Sequence, residues 1–274
     1  MFSSDVLTVE KDGSIAVVWL DSPERRNAMG SAFWSDLPAA MDEVGSDPEV
    51  RCVIVAARGT CFTVGLDLKD AFTTQAAAPS SVASPASQSI ARHREIRRLQ
   101  DSITSVYSCP KPTIAAVHGY CLGGGVDLIT ACDIRLAAAN ATFSVRETRI
   151  AIVADLGTLQ RLPRIVGPGH AAELIYTGAD IDAARAGEIG LVNHIYADHD
   201  ELLRAARELA GQIAANSPLS VAGSKAVLRA SEGRPDQDGL AYVAAWNAGM
   251  LVSDDLAEAM GAFLEKRAPG FTGA

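Results

Sequence analysis

The 274-residue chain has the length of one large domain, or of one domain with an appendage. A hydrophobic content of 48% with 21% charged residues is typical of a globular protein with a substantial core and excludes a disordered chain. The net charge of −9 argues against a nucleic-acid-binding surface, because such a surface needs clustered basic side chains. A small anionic ligand held by a few local Arg or Lys side chains stays compatible with this charge.

The five cysteines form no CxxC pair, and most of them lie in apolar segments. This pattern predicts buried free thiols in a reducing compartment rather than a zinc site. The N-terminal residues lack the regions of a signal peptide, the C-terminal FTGA is not a peroxisomal address, and no apolar run is long enough to span a bilayer. We therefore expect a cytoplasmic protein with no membrane or nucleic-acid partner.

Strand-like and helical patterns alternate over the first part of the chain. Val6–Glu10 and Ser14–Leu20 are two β-rich runs separated by a glycine-containing turn, which predicts a hairpin. A helical pattern follows over Ser31–Val44, and Pro38 within it should bend the helix or limit it to its early turns. The β-branched run Arg51–Ala57 is a predicted strand, so strand, helix and strand indicate a parallel crossover unit.

The middle of the chain combines a polar excursion with a long helical pattern. Ala76–Ser89 is rich in Ala, Ser and Pro, which predicts an exposed, mobile excursion. Apolar residues recur at helical spacing over Ile90–Tyr107. Arginines lie between them, and a solvated helix face is favoured for these over a ligand role: Arg92, Arg94, Arg97 and Arg98. Thr113–Val117 is the next predicted buried strand.

Beyond residue 120 the alternating elements give way to helices alone. Strands are predicted near Ile134–Ala138, Thr142–Val145 and Leu191–Ile195. Helices are predicted over Thr158–Val166, Gly169–Tyr176, Asp182–Glu188, Asp198–Ala215, Pro218–Ser231, Asp238–Leu251 and Asp254–Lys266. The order of elements indicates an α/β core over residues 1–200 and a C-terminal helical region over residues 201–274.

Two glycine-containing loops, each just after a strand, are candidates for binding a developing negative charge. In the first, Gly65 lets the backbone turn and exposes the amide of Leu66. In the second, Gly123–Gly125 leads into a helix whose first N–H groups are unpaired and partly positive. If the fold brings the loops together, two amides converge on one oxygen, which suits a thioester carbonyl that becomes an enolate. The alternative is that the glycines only mark tight turns.

Three acids in apolar surroundings, Asp127, Glu147 and Asp155, form a candidate proton-transfer set. Each has a structural alternative. Asp127 can complement the positive end of the helix that it begins, Glu147 can pair with a flanking arginine, and Asp155 can cap the helix near Thr158. A carboxylate metal site is disfavoured because no ligating His spacing accompanies the acids, and no metal is expected. His118 ends a buried strand and is expected to be a hydrogen-bonded core residue.

The segment IAAVHGYCLGGGVDLITACDIRLAA, with CFTVGLDL upstream, resembles the crotonase (enoyl-CoA hydratase/isomerase) superfamily, and the resemblance covers nearly the whole chain. The stretch FSVRETRIAIVADLGTLQRLPRIVG is most similar to the Δ3,5-Δ2,4-dienoyl-CoA isomerases. The resemblance implies an α/β spiral of ββα repeats, trimers or paired trimers through the C-terminal helices, and an acyl-CoA substrate that itself carries the coenzyme A, with no other cofactor.

The resemblance also implies roles for individual residues. The amides of Leu66 and Gly124 form the oxyanion hole, and neighbouring residues bind the substrate: Val64, Gly65, Asp67 and Leu68. Arg25 or Arg26, together with Phe263 and Lys266 of a neighbouring subunit, are candidates for contacting the nucleotide end of CoA. Family hydratases have glutamates where this chain has Asp127 and Glu147, and a glycine where it has Asp155, an acid that the isomerases share. Glu24 and Val64 depart from the superfamily, which commonly has lysine and alanine there.

The reaction implied by the resemblance moves two conjugated double bonds from the 3,5 to the 2,4 positions, as in fatty-acid β-oxidation. It requires removal of a proton at C2 and delivery of one at C6, with negative charge held on the thioester oxygen. We expect Glu147 to act at C2 and Asp155 at C6, or the reverse, with Asp127 assisting.

Other functions remain compatible with the sequence. The nearest is a 2-enoyl-CoA hydratase, and a second is another crotonase-type activity on a specialised acyl-CoA. An RNA-binding protein or a non-catalytic acyl-CoA binder on the same scaffold is disfavoured by the acidic charge and by the retained acids, respectively.

Overall fold

A computed structural model describes residues 1–77 and 84–274. The strands are β1 (Leu7–Asp12), β2 (Ile15–Leu20), β3 (Cys52–Ala57), β4 (Thr113–Val117), β5 (Tyr120–Leu122), β6 (Ile134–Ala138), β7 (Thr142–Ser144), β8 (Ile181–Asp182) and β9 (His194–Tyr196). β1 and β2 form the predicted antiparallel hairpin, and β2, β3, β4, β6 and β9 continue the sheet in parallel. The described residues thus form a six-stranded sheet in the order β1-β2-β3-β4-β6-β9.

A smaller sheet, β5-β7-β8, runs beside the large one. β4 and β6 belong to the large sheet, and the next strand after each, β5 or β7, belongs to the small sheet. The loop after β3 follows the same course, because Thr63 forms a parallel bridge with Cys121 in β5. Successive turns of the chain therefore wind as a spiral, as the resemblance predicted. The sequence did not predict β5 and β8, and β9 begins three residues later than expected.

The helices are α1 (Ser31–Ser46), α2 (Leu68–Ala77), α3 (Pro85–Tyr107), α4 (Gly124–Ala131), α5 (Thr158–Val166), α6 (Pro168–Thr177), α7 (Ala183–Glu188), α8 (His199–Ala214), α9 (Pro218–Ser231), α10 (Asp236–Met250) and α11 (Asp254–Glu265). α1 runs through Pro38, so the helix is not limited to its early turns, and a bend at the proline stays a prediction. Buried residues on both sides of the proline, including Trp34 and Met41, anchor both halves.

The predicted excursion Ala76–Ser89 is wrong at both ends. Ala76 and Ala77 belong to α2, and α3 begins at Pro85, where Ser84 accepts a hydrogen bond from the Ser87 amide as the N-cap. Residues 78–83 of this prediction lie outside the described residues. The four arginines predicted as a solvated face of α3 are exposed, as expected.

The large sheet is buried on both faces. One face packs with α1, α3, α4 and α5 around the main core, and the other packs on α8. Side chains alternate between the two cores, so that Val53 and Val55 face one and Ile54 faces the other. All five cysteines are buried free thiols, as predicted. This packing holds the ends of β3, β4 and β6, and the loops that follow them, in place.

The last helices extend from this body. α10 packs on α9, and α10 and α11 leave large apolar side chains exposed. The division of the chain at residue 200 stays a prediction, although α8, just beyond it, packs on the large sheet through Leu202, Ala206 and Ala210. In the described part of the chain, no helix is long and apolar enough to cross a membrane.

Candidate active site

The loop after β3 crosses to β5 and leaves one amide unused. Thr63 donates its N–H to the Tyr120 carbonyl oxygen at 2.8 Å, and the chain then bridges to Met29. In that bridge the Met29 N–H donates to the Gly65 carbonyl oxygen and the Asp67 N–H donates to the Met29 carbonyl oxygen, so the bonded groups lie on either side of Leu66. The Leu66 N–H points to the other side and has no hydrogen-bond acceptor among the described residues.

The glycines after β5 form the second part of the site. Gly123 has φ +52°, and its N–H donates to the Ser144 carbonyl oxygen at 2.9 Å, which ties the turn to β7. α4 begins at Gly124, whose amide, as the first of the helix, has no intrahelical acceptor and none among the described residues. A Cβ on Gly125 would lie 2.6 Å from Thr63 Cγ2. The turn therefore needs glycine because the Thr63 loop packs directly on it.

The two loops converge, as the sequence analysis supposed. A Cβ on Gly65 would lie 3.4 Å from the Gly124 nitrogen and 2.5 Å from the Leu122 carbonyl oxygen. Gly65 also has φ +82°, which L-residues rarely adopt. The backbone at Gly65, which precedes the Leu66 amide, therefore lies directly against the Gly124 amide. Two unpaired N–H groups in this arrangement can donate to a single oxygen and stabilise negative charge on it.

Asp127 is buried on α4 and binds a different helix from the one expected. Its Oδ1 accepts the Thr158 N–H at 2.6 Å, so it complements the positive end of α5 rather than that of its own helix. Burial raises its pKa to about 7, and the nearby charge of Glu147 acts in the same direction. Asp127 is therefore an acid that changes charge near neutral pH.

Glu147 begins a 3₁₀ turn after β7 and points back to the glycine turn. A Cβ on Gly123 would lie 3.5 Å from Glu147 Oε1. The flanking arginines do not pair with it, because Arg146 binds Asp180 and Arg149 donates to the Thr177 carbonyl oxygen. Oε2 is buried without a hydrogen-bond partner in the described residues. Burial, followed by the charge of Asp155, raises the pKa of Glu147.

Asp155 lies in the segment that joins the 3₁₀ turn to α5. The helix has Gly157 as its N-cap, and its first amide binds Asp127, so Asp155 does not cap it. Gln100 on α3 donates to the Asp155 carbonyl oxygen at 2.6 Å and fixes the main chain there. Burial raises the pKa of the half-buried carboxyl group. Glu147 and Asp155 therefore lack the partners that the structural alternatives gave them, and Asp127 complements α5 instead of its own helix.

The remaining sequence-predicted residues fall into two groups, one around the Arg25–Asp67 ion pair and one at the end of α11. Arg25 forms an ion pair with Asp67, which also accepts the Asp70 amide at the start of α2. Arg26 is exposed next to Arg25 in the chain, and its carbonyl oxygen accepts the Val64 N–H. Leu68 is exposed at the start of α2. Phe263 and Lys266 lie exposed at the end of α11.

Residues that sequence reasoning missed hold the first loop in place. Asn27, with φ +54°, donates its side-chain amide to the carbonyl oxygens of Arg58 and Cys61, both at 3.0 Å. Thr63 Oγ1 donates to the Asn27 carbonyl oxygen and accepts the Gly65 amide. Asparagine adopts the left-handed conformation more readily than most residues, so Asn27, just before the apolar pair Ala28-Met29, was a weak sequence signal for this position.

His118 is a buried, hydrogen-bonded residue, as predicted. Its Nε2 lies 3.0 Å from the Gly59 carbonyl oxygen, and its ring stacks on His199 with centroids 3.7 Å apart. Burial, followed by the charge of His199, lowers the pKa of His118 to about 4. Among the described residues, no group of three or more His, Cys, Asp or Glu has the arrangement of a metal site.

Comparison with known proteins gives relatives along nearly the whole chain. Residues 10–274 match the family model described as enoyl-CoA hydratase/isomerase. The chain is 45% identical over 267 residues to the mitochondrial Δ3,5-Δ2,4-dienoyl-CoA isomerase of Dictyostelium discoideum, covering 97% of this chain and 90% of the relative. It is 40% identical to the peroxisomal enzyme of that name from Arabidopsis thaliana, covering 97% and 96%.

Solved structures of enoyl-CoA hydratases are also similar to this chain. The enoyl-CoA hydratase of Bacillus anthracis has a TM-score of 0.88 at 31% identity, covering 98% of this chain and all of that one. An enoyl-CoA hydratase from Polaromonas sp. JS666 has a TM-score of 0.86 at 29% identity, covering 97% and 99%. The predicted α/β crotonase fold is confirmed.

The expected cytoplasmic location is wrong by the same comparisons, because the dienoyl-CoA isomerases that this chain is similar to are named as mitochondrial or peroxisomal. Composition and net charge carry no information on which of these compartments holds a protein. The match over residues 10–274, together with the spiral fold and the paired glycine loops, shows that the chain belongs to the enoyl-CoA hydratase/isomerase family.

Proposed function

We propose that this protein is a dienoyl-CoA isomerase that converts 3,5-dienoyl-CoA to 2,4-dienoyl-CoA, a step of fatty-acid β-oxidation. The observation that carries the proposal is the state of Asp155: its carboxyl group is half-buried, does not cap α5, and lies close enough to Glu147 to raise the pKa of that acid. The relatives named as dienoyl-CoA isomerases support the same reaction.

The position of Glu147 favours it as the base at C2. Its carboxyl group lies against Gly123, next to the Gly124 amide that would bind the thioester oxygen. C2 is bonded to the thioester carbon, so the acid beside the oxyanion hole is the one that reaches C2. An ionised Glu147 removes the C2 proton, and the electron pair moves onto the thioester oxygen between the Leu66 and Gly124 amides.

Asp155 would complete the reaction at the other end of the diene. As the electrons return, double bonds form at C2–C3 and C4–C5, and C6 takes a proton from a protonated Asp155. The product leaves Glu147 protonated and Asp155 ionised, so the two acids must exchange one proton with solvent before the next turnover. The raised pKa of each acid makes it easier for that acid to hold a proton between the two steps. Asp127 would assist through its charge and by fixing α5.

The chemistry is redox-neutral and consists only of proton transfers. We propose that it needs no metal and no cofactor apart from the CoA that the substrate carries. The thioester would pass Val64 and Gly65, with the Arg25–Asp67 pair and Leu68 at the mouth of the site and Arg26 exposed for contact with the CoA phosphates.

The exposed apolar side chains of the last two helices and of the segment between them support a homotrimer or a dimer of trimers, as the resemblance implies. They are Met250, Leu251, Val252, Met260, Phe263 and Leu264. In such an assembly, Phe263 and Lys266 would serve the nucleotide end of a neighbouring subunit's CoA. Analytical ultracentrifugation tests the assembly, and a monomer at micromolar concentration would overturn it.

A 2-enoyl-CoA hydratase is the second candidate, favoured by the hydratase names of the solved structures. Hydration needs two acids that hold one water together. Here one oxygen of Asp127 is engaged by the Thr158 amide, and its side chain is one methylene shorter than the glutamate of the hydratases. Asp127 is therefore less able than that glutamate to hold a water molecule together with Glu147.

A spectrophotometric assay separates the two. Purified protein is mixed with a 3,5-dienoyl-CoA, and the absorbance of the conjugated 2,4-dienoyl thioester is followed, while a parallel cuvette with a 2-enoyl-CoA reports hydration. We expect fast conjugation with little hydration. Asp155→Asn should lower the isomerisation rate by about 10²–10⁴-fold, whereas the control Asp5→Asn, an exposed acid before β1, should not. A wild-type rate in Asp155→Asn refutes the mechanism, and hydration without conjugation favours the hydratase.

A further inference from the structure

A cavity of about 900 Å³ lies outside the candidate active site. It is bounded by α5, α9, the C-terminal end of α8 and the start of β6, with Tyr107 at the end of α3 and Phe271 near the C-terminus also in its wall, and it opens to solvent. Neither the three acids nor the two glycine loops line it. Its lining therefore requires a separate explanation.

The lining of this cavity is cationic, although the chain as a whole has a net charge of −9. The positive side chains are Arg135, Arg161, Arg164, Lys225 and Arg229. The two acidic side chains in the lining are Asp133 and Glu232, which leaves an excess of three positive charges. Arg135, Arg161 and Lys225 are each no more than 9% exposed, a position that cations rarely occupy without anionic partners.

Both carboxylates of the lining, Asp133 and Glu232, already form ion pairs with cations of the same lining. Asp133 binds both Lys225 and Arg229 at 2.7 Å. Glu232 binds Arg164 and Arg229 and also accepts the Tyr107 hydroxyl. Neither carboxylate has an ion pair with Arg135 or Arg161. The acidic side chains of the cavity therefore leave these two guanidinium groups without an ion-pair partner, although the charge of Asp133 still acts on Arg135.

The hydrogen bonds of the two guanidinium groups go only to neutral acceptors in the described residues. Arg135 donates to the carbonyl oxygens of Leu191 and Cys132 at 2.8 and 2.9 Å. Arg161 makes one long bond, 3.3 Å, to the Leu156 carbonyl oxygen. Its guanidinium lies 5.3 Å from the centroid of the Tyr107 ring, whose other contact is Arg229 at 3.7 Å. The ring holds two cations in place without offsetting their charge fully.

The rest of the lining is mainly apolar and includes Ile134, Ile165, Ile213, Val221 and Leu228. A ligand that matches both parts carries an oxyanion and a hydrocarbon body, because guanidinium groups bind carboxylate and phosphate through paired N–H donors. We propose that this cavity binds an organic anion, with a carboxylate or phosphate head group compensated by Arg161 and Arg135 and a short apolar body against the aliphatic side chains.

Binding at this cavity would reach the candidate active site through α5. Arg161 is one of the charges that act on Asp127, and the first amide of the same helix binds the Asp127 carboxylate. An anion on Arg161 offsets that positive charge. The cavity is therefore placed to make the protonation of Asp127 respond to an anionic metabolite.

Calorimetric titration of the full chain tests the proposal, with hexanoate, hexyl phosphate, inorganic phosphate and hexanol as probes at constant ionic strength. We expect saturable binding of hexanoate or hexyl phosphate, weaker binding of inorganic phosphate and none of hexanol. The tighter of the first two identifies the head group. Arg161→Gln should weaken binding at least tenfold, and Ser224→Trp, which fills the cavity from α9 without removing a charge, should abolish it. The control Arg92→Gln, on the exposed face of α3, should bind as the wild type does.

Equal binding by the wild type and Ser224→Trp, or hexanol binding as tightly as hexanoate, would overturn the proposal. So would the absence of saturable heat with all four probes. Circular dichroism shows whether Arg161→Gln is folded, and Ser224→Trp decides the question if it is not. No step of this test uses isomerase activity, so its outcome is independent of the proposed function.

Discussion

Gly65→Ala tests the convergence of the two glycine loops most directly. The added Cβ would lie 2.5 Å from the Leu122 carbonyl oxygen, a backbone atom held in β5, and the residue would keep φ near +82°. The conformation alone costs about 1–2 kcal/mol for a non-glycine residue, and the clash must be relieved by moving the loop. That movement displaces the Leu66 amide. Loss of one oxyanion donor lowers kcat by about 10²–10³-fold, or about 3–4 kcal/mol of transition-state stabilisation.

Gly13→Ala is the matched control, because Gly13 also has a positive φ, +58°, but no atom lies within 4 Å of its added Cβ. It should destabilise the protein by about 1 kcal/mol and leave kcat unchanged. Steady-state isomerisation of a 3,5-dienoyl-CoA gives kcat, and urea unfolding gives the stability of each variant. If kcat of Gly65→Ala stays within threefold of that of Gly13→Ala, the Leu66 amide is not an oxyanion donor and the site is wrongly assigned.

Three further changes test the site and its support. Asn27→Ala should lower the free energy of unfolding by about 2–4 kcal/mol, because three backbone groups lose their partner. Urea unfolding measures this change, and the control Asn140→Ala, at an exposed position, should lower the free energy of unfolding far less. Equal decreases in the two variants would contradict the reasoning. The contribution of Asp127 to the stability of the wild type should fall as the pH rises from about 4 to 7, because this buried acid, with its pKa raised to about 7, keeps a proton that the unfolded chain releases. Asp127→Asn should remove roughly 3 kcal/mol of this decline, and an unchanged slope in urea unfolding at several pH values would refute it. His118 has the opposite sign: its pKa is lowered to about 4, so its contribution is present above about pH 6.5 and is lost as the pH falls toward 4. His118→Gln should flatten this acid-side loss by roughly 2 kcal/mol, whereas His170→Gln, on the exposed part of α6, should have the slope of the wild type.

The longer elements follow from local sequence. The strand predicted over Thr113–Val117 has these bounds in the structure, and so do the helices Thr158–Val166 and Pro218–Ser231. Apolar periodicity, β-branched runs and N-terminal prolines act over a few residues, so they are readable without the fold. The strands Tyr120–Leu122 and Ile181–Asp182 are too short to show a period, and they exist because their neighbours in the small sheet pair with them.

The partners of the three candidate acids could not be predicted from local sequence. Their apolar surroundings identified Asp127, Glu147 and Asp155, but partners were assigned from nearness in sequence. Packing of α4 on α5 gives the Thr158 amide to Asp127, thirty-one residues away, and leaves Asp155 without that role. The arginines next to Glu147 bind Asp180 and the Thr177 carbonyl oxygen instead. A hydrogen bond forms with the group that tertiary packing places within reach, which sequence distance does not measure.

The cationic cavity depends on the tertiary structure entirely. Arg135, Arg161 and Arg229 come from a strand and two helices that the sequence predicted, yet no spacing among them indicates a shared site. The sequence by itself determined which segments become strands and helices and which acids lie in apolar surroundings, because those properties depend on neighbouring residues. Only the tertiary structure decided which amides face one oxygen, which carboxylates lose their nearest arginines and which cations share a cavity, because each depends on contacts between distant parts of the chain.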